Sequence, residues 1–89
     1  MIIYQSRSFE KKVKKMSQME KDSLERKIRS IACNSDVGEE KKGDRRGIFV
    51  HKFKIKTTLY LLIYRKAGEN LELLMIGPHE NYYRDLKSI

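Results

Sequence analysis

Three lysines, Lys52, Lys54 and Lys56, recur at every second position in the segment HKFKIKT. On an extended strand this spacing puts them on one side, about 7 Å apart. That is close to the phosphate spacing of an extended single-stranded nucleic acid. Cations side by side repel one another unless an anion neutralises them, so the ladder points to a polyanion. Residues 41–56 hold seven basic side chains, among them Arg45 and Arg46, against one acid, Asp44. A structural explanation stands beside this one, because lysines also protect open sheet edges against aggregation.

A second group lies further along the chain: His79, Tyr82, Tyr83 and Arg84. On a helix, a histidine and a tyrosine four residues apart face the same way. Imidazole gives or takes a proton near neutral pH, and a phenol holds a phosphate oxygen or donates a proton. Equally, a helix-end histidine can be a cap and the tyrosines can be core. Nothing else carries chemistry. There is no glycine-rich phosphate loop and no pair of carboxylates at a useful spacing, and Ser6 and Ser8 have no histidine near them in sequence. Cys33 ends an apolar helical stripe and reads as a buried, inert thiol. His51, between Phe49 and Phe53, reads as structural. One cysteine and two histidines are too few for a structural zinc site, so neither a metal nor a cofactor is expected.

The elements that must position these residues come from a chain of 89 residues, enough for one domain over 1–89. Twenty Lys+Arg against twelve Asp+Glu give a net charge of +8, more than solubility requires. Clustered base of this kind suits nucleic acid, an acidic protein or an anionic surface. No apolar run reaches the ~18 residues of a membrane span. The opening MIIYQSRSF has no apolar core of a secretory signal. A single cysteine forms no internal disulfide, which fits a reducing compartment. The expected location is therefore the cytoplasm, away from membranes.

Ile2, Ile3 and Tyr4 are a short β-prone run. Ser8 is positioned to cap a helix carrying Phe9, Val13 and Met16 at i, i+4 and i+7. Ser17-x-x-Glu20 is a capping box, and a second stripe follows at Leu24, Ile28, Ile31 and Ala32. Glu10–Lys14, Asp22–Arg26 and Glu25–Arg29 are acid-then-base pairs at i, i+4. Asn34 to Arg46 is polar, holds Gly38 and Gly43, and reads as a loop. From Gly47 the period is two: Phe49, His51, Phe53 and Ile55 on one face, Ile48, Val50 and the three lysines on the other. Thr57–Tyr64 is a nearly apolar central strand. Ala67–Asn70 is a turn, and Leu71–Ile76 a further strand ended by Gly77-Pro78. His79, Tyr82, Tyr83 and Leu86 then predict a short C-terminal helix. The order is β-α-α-β-β-β-α. This is an α+β domain, with two helices on one face of a three- to four-stranded antiparallel sheet.

These elements together resemble the RelE/ParE superfamily of bacterial toxins from type II toxin–antitoxin modules. The sharpest parts are VHKFKIKTTLYLLIYRK (Val50–Lys66) and GPHENYYRDLK (Gly77–Lys87). The resemblance implies a microbial-RNase-like fold. In the RelE branch it implies a metal-independent endoribonuclease that cuts mRNA in the ribosomal A site by attack of the 2′-OH on phosphorus. Residue by residue, it assigns Lys52 and Lys54 to phosphate stabilisation or to base catalysis. His79 becomes the general acid–base, and Tyr83, or Tyr82 one position earlier, a base-stacking or orienting group. Lys56, Arg45, Arg46 and Arg84 would help bind RNA. Where the family carries a strand arginine, this chain has Leu61; Arg65 and Arg84 are the cations that would replace it. The resemblance also implies a cognate antitoxin as partner, beside the ribosome and mRNA. A ParE-like inhibitor of DNA gyrase, without nuclease activity, and an inactive antitoxin-bound relative are the alternatives.

Overall fold

The computed structural model of the chain describes residues 2–33, 39–40 and 47–81. The elements are β1 (Ile3–Gln5), α1 (Arg7–Lys14), α2 (Gln18–Cys33), β2 (Glu39–Glu40), β3 (Ile48–Ile55), β4 (Thr58–Ala67) and β5 (Asn70–Pro78). A 3-10 turn, His79–Asn81, follows. The C-terminal helix predicted through Tyr82, Tyr83 and Leu86 lies outside the described residues.

Helix α1 starts two residues before the expected cap. Ser6, not Ser8, is the N-cap: its Oγ accepts from the Phe9 amide at 3.0 Å. Tertiary structure decides between the two serines. The Ser6 amide donates to the Leu73 carbonyl at 2.9 Å, and its hydroxyl donates to the Leu74 carbonyl at 2.6 Å. One residue therefore ties strand, helix and β5 together, and the helix must begin there. Glu10 in the first turn and Lys11, Lys12 and Lys14 in the last complement the helix dipole.

The capping box forms as expected. The Ser17 amide donates to Glu20 Oε1 at 2.8 Å, and the Glu20 amide donates to Ser17 Oγ at 3.2 Å. It starts a new helix without glycine or proline, so the chain has two helices here, not one bent helix. Leu24 and Ile31 are buried and Ile28 packs against them. Cys33 is exposed, contrary to expectation. Two residues past Ile31, it has rotated by about 200° off the buried stripe.

The sheet has the order β1-β5-β4-β3-β2. It is mixed rather than antiparallel, and it has five strands. Strand β1 pairs parallel with β5, Ile3 beside Leu71 and Gln5 beside Leu73. The fifth strand is the two-residue β2, which pairs with Phe49 and Val50 from within the predicted loop. The central β4 is covered on both faces: Leu61, Leu62, Ile63 and Tyr64 are all at most 3% exposed. Toward the helices, Leu62, Tyr64, Phe53 and Ile76 pack with Phe9, Leu24 and Ile31. On the other face Ile48, Val50, Leu61, Ile63 and Met75 form a second apolar cluster.

The hairpin between β3 and β4 turns at Lys56-Thr57, because Ile55 pairs with Thr58. Lys56 has φ 57°, the only non-glycine residue with a positive φ among those described. Left-handed backbone costs an L-residue about 1–2 kcal/mol. Glycine's greater freedom in the unfolded chain offsets about half of that. Lys56→Gly should therefore stabilise the domain by about 0.5–1 kcal/mol. A thermal melt showing no rise in Tm would contradict the assignment of strain to this turn.

Candidate functional site

Lys52 and Lys54 project from β3 on the face away from the helices, and both are exposed. The alternation that buries Phe53 and Ile55 against the helices requires this. The far face of β3 is thus divided: Ile48 and Val50 lie in the second cluster, and the lysines continue the row into solvent. Lys56 does not complete the ladder. It sits in the turn, and its charge acts on Glu20.

Strand register places the histidine. Lys52 pairs with Leu61, and Leu61 pairs with Gly77. Lys54 pairs with Leu59, one residue before Tyr60, the partner of Pro78. His79 follows Pro78 directly, at the start of the 3-10 turn, and so lies just past the paired end of β5. Two strand spacings, roughly 10 Å, separate the backbones of β3 and β5. Lys52, Lys54 and His79 are therefore gathered at one end of the sheet, and His79 is exposed. The remaining candidates, Arg45, Arg46, Tyr82, Tyr83 and Arg84, lie outside the described residues.

Leu61 stands directly opposite Lys52, between it and Gly77, and is 3% exposed. Arg65 does not replace a cation there. It is four residues along β4, roughly 13 Å away, opposite Ile48 and Glu72. Its guanidinium is paired with Glu72 at 3.5 Å.

Sequence reasoning missed a second polar centre at the same end of the molecule, on the helix side. The Tyr60 hydroxyl donates to Glu20 Oε2 at 2.7 Å, across forty positions of sequence. With Lys12, Lys15, Met16, Ile76, Gly77 and Pro78 these two line a cleft of about 160 Å³. The Ser17 amide, the Tyr60 hydroxyl and the Ser17 hydroxyl hold the Glu20 carboxyl below its ordinary value near 4.5, with a smaller contribution from Lys56. The bond to Glu20, burial and the Glu20 charge together raise the Tyr60 phenol above its usual range. A depressed carboxylate stabilises the fold above its unfolded pKa, and that contribution is lost as pH falls through the folded value. Glu20→Gln should therefore lower stability at pH 7 and flatten the loss of stability on acidification below about pH 4.5. Equal slopes for both proteins in urea melts at stepped pH would rule this out. The only sequence signal was the capping box itself; nothing marked Tyr60 as its partner.

His51 is half-buried, its ring stacked on Phe53 at 6.0 Å between centroids, in line with a structural role. Among the described residues no three His, Cys, Asp or Glu side chains are grouped to hold a metal. None of the described helices is long and apolar enough to cross a membrane.

The described residues form a small α+β domain, with two helices on one face of the sheet and Lys52 and Lys54 exposed on the other. Residues 3–87 match the sequence model of the ParE-like toxin of type II bacterial toxin–antitoxin systems. The chain belongs to that family, within the RelE/ParE superfamily of toxins. No curated protein matches it in sequence. Solved structures of the E. coli toxin RelE share its fold. A free-state mutant with two arginines changed to alanine superposes with a TM-score of 0.72 at 17% identity, covering 99% of this chain and 96% of that one. A crystal structure of the isolated E. coli RelE toxin gives 0.69 at 15%, covering 98% and 96%. The chain matched in the intact E. coli RelBE toxin–antitoxin complex gives 0.69 at 15%, covering 85% and 93%.

Proposed function

We propose that this toxin is a ribosome-dependent mRNA endoribonuclease that cuts A-site codons, acts in the cytoplasm and is restrained by a cognate antitoxin. The observation that carries the reading is the convergence of Lys52, Lys54 and His79 at one end of the sheet. In the proposed reaction the 2′-oxygen of the substrate ribose attacks the adjacent phosphorus as its proton is removed. The bond from phosphorus to the 5′-oxygen breaks, and that oxygen takes up a proton. A 2′,3′-cyclic phosphate remains. Lys52 and Lys54 neutralise the charge that grows on the phosphorane oxygens. His79, exposed at the end of the sheet, is the general acid–base. Tyr83, or Tyr82, stacks on a base or orients the 2′-OH, and Lys56, Arg45, Arg46 and Arg84 bind flanking RNA. The chain's own cations and imidazole supply this chemistry without a metal. The RelBE complex among the structural neighbours supports an antitoxin as partner. The +8 charge favours an acidic one.

Primer extension on a reporter mRNA, after induction in cells, tests the reading. Cuts within translated codons are expected, and intact mRNA would refute it. Leu61 opposite Lys52 favours one second reading, a gyrase inhibitor that does not cut RNA. It predicts growth arrest with intact mRNA and a loss of supercoiling activity.

A further inference from the structure

On α2, Ser23, Arg26, Lys27 and Ser30 fall at i, i+3, i+4 and i+7, so they form one stripe beside the buried one. Together with Phe53 and Lys54 they line a groove of about 290 Å³ between the helix and the edge of β3. Every charged residue lining it is basic. The Arg26 guanidinium turns to Ser23 Oγ at 3.3 Å and not to Asp22, whose carboxylate accepts from Gln18 instead. The expected Asp22–Arg26 pair is thus absent, whereas Glu25–Arg29 forms at 2.7 Å. The groove therefore concentrates positive charge that the helix had a carboxylate available to cancel. Strand β2 covers β3 only at Phe49 and Val50, so among the described residues the edge is open from Lys52 to Ile55.

We propose that this groove is a second RNA track, which takes the sugar–phosphate backbone flanking the cut. The inference rests on the ribonuclease reading of the same chain. Lys54 borders both surfaces, so a strand held at Lys52 and Lys54 passes over the open edge onto α2. The stripe from Ser23 to Ser30 is about 10 Å long, room for two phosphates. Arg26 and Lys27 meet their charge, and the serine hydroxyls donate to their oxygens. An extended RNA also lies more readily in a shallow groove at a strand edge than a folded ligand does.

The test is fluorescence anisotropy of the full chain with a short single-stranded RNA bearing 2′-O-methyl groups, which it cannot cleave, at stepped salt concentrations. Arg26→Gln/Lys27→Gln should weaken binding about tenfold at low salt. It should also reduce the slope of log affinity against log salt by about 1.4, the value for two phosphates on a single strand. Lys11→Gln/Lys14→Gln removes the same charge from α1, away from the groove, and should change affinity less than twofold. Equal losses in both variants, or none in either, would overturn the track. So would failure of the parent chain to bind the RNA, or a loss confined to a polyglutamate peptide. Primer extension with the parent chain reports cleavage separately, so the ribonuclease reading can stand while the track falls.

Discussion

Changing Lys52 or Lys54 to alanine should slow codon cleavage by about 10²–10³-fold, the usual consequence of removing one preorganised group from a developing oxyanion. His79→Ala should cost about 10²–10⁴-fold, as expected for a positioned general acid–base. All three side chains are exposed, so no core contact is lost and Tm should change little. The two lysines also differ from ordinary surface charge in their salt response. Each alanine variant should bind uncleavable RNA with a shallower salt dependence, by about 0.7. Quantitative primer extension across the three variants checks the claim. Cleavage within threefold of the parent in all of them would remove the nuclease assignment.

Phe9→Ala should be the most damaging single change to the fold. Phe9 is the one buried residue of α1, 1% exposed. Removing a buried phenylalanine costs about 3–5 kcal/mol. A domain of this length has roughly 4–13 kcal/mol of stability in all. Each kcal/mol moves the midpoint by about 4–8 °C at this size. A fall in Tm of roughly 12–40 °C is therefore expected by circular dichroism. A fall under 5 °C would mean that α1 contributes little to the core. Loss of toxicity in this variant would reflect unfolding, which separates it from the lysine and histidine variants.

The helix pair and the buried central strand were legible because each rests on local pattern. The Ser17–Glu20 box closes within one turn of helix, and Leu61–Tyr64 leaves no face for water. The parallel placement of β1 was not legible. A three-residue apolar run does not encode its partner or direction, and the deciding contacts, Ser6 to Leu73 and Leu74, come from 67 and 68 residues away. Lys56 shows a different failure. The period of two continues through it, and the turn lacks the glycine, asparagine or proline that normally marks one. Only the backbone reveals that the strand has ended. The lysines and His79 could be listed from sequence. Their convergence depends on the register of β3, β4 and β5, and the charged stripe of Arg26 and Lys27 became notable only once Asp22 was seen bonded elsewhere.

The link between Ser6 and β5 also bears on when this protein can act. The first strand has no partner until residues 71–73 have been made, and the cap of α1 needs the carbonyl of Leu74. Synthesis runs from the N-terminus at about 5–20 residues per second. Until residue 74 has been made, then, β1 and α1 wait beside an incomplete sheet. Folding is therefore deferred until the segment of β5 has been made. The delay, a few seconds per molecule, is also time in which a partner already present can meet the chain as it closes.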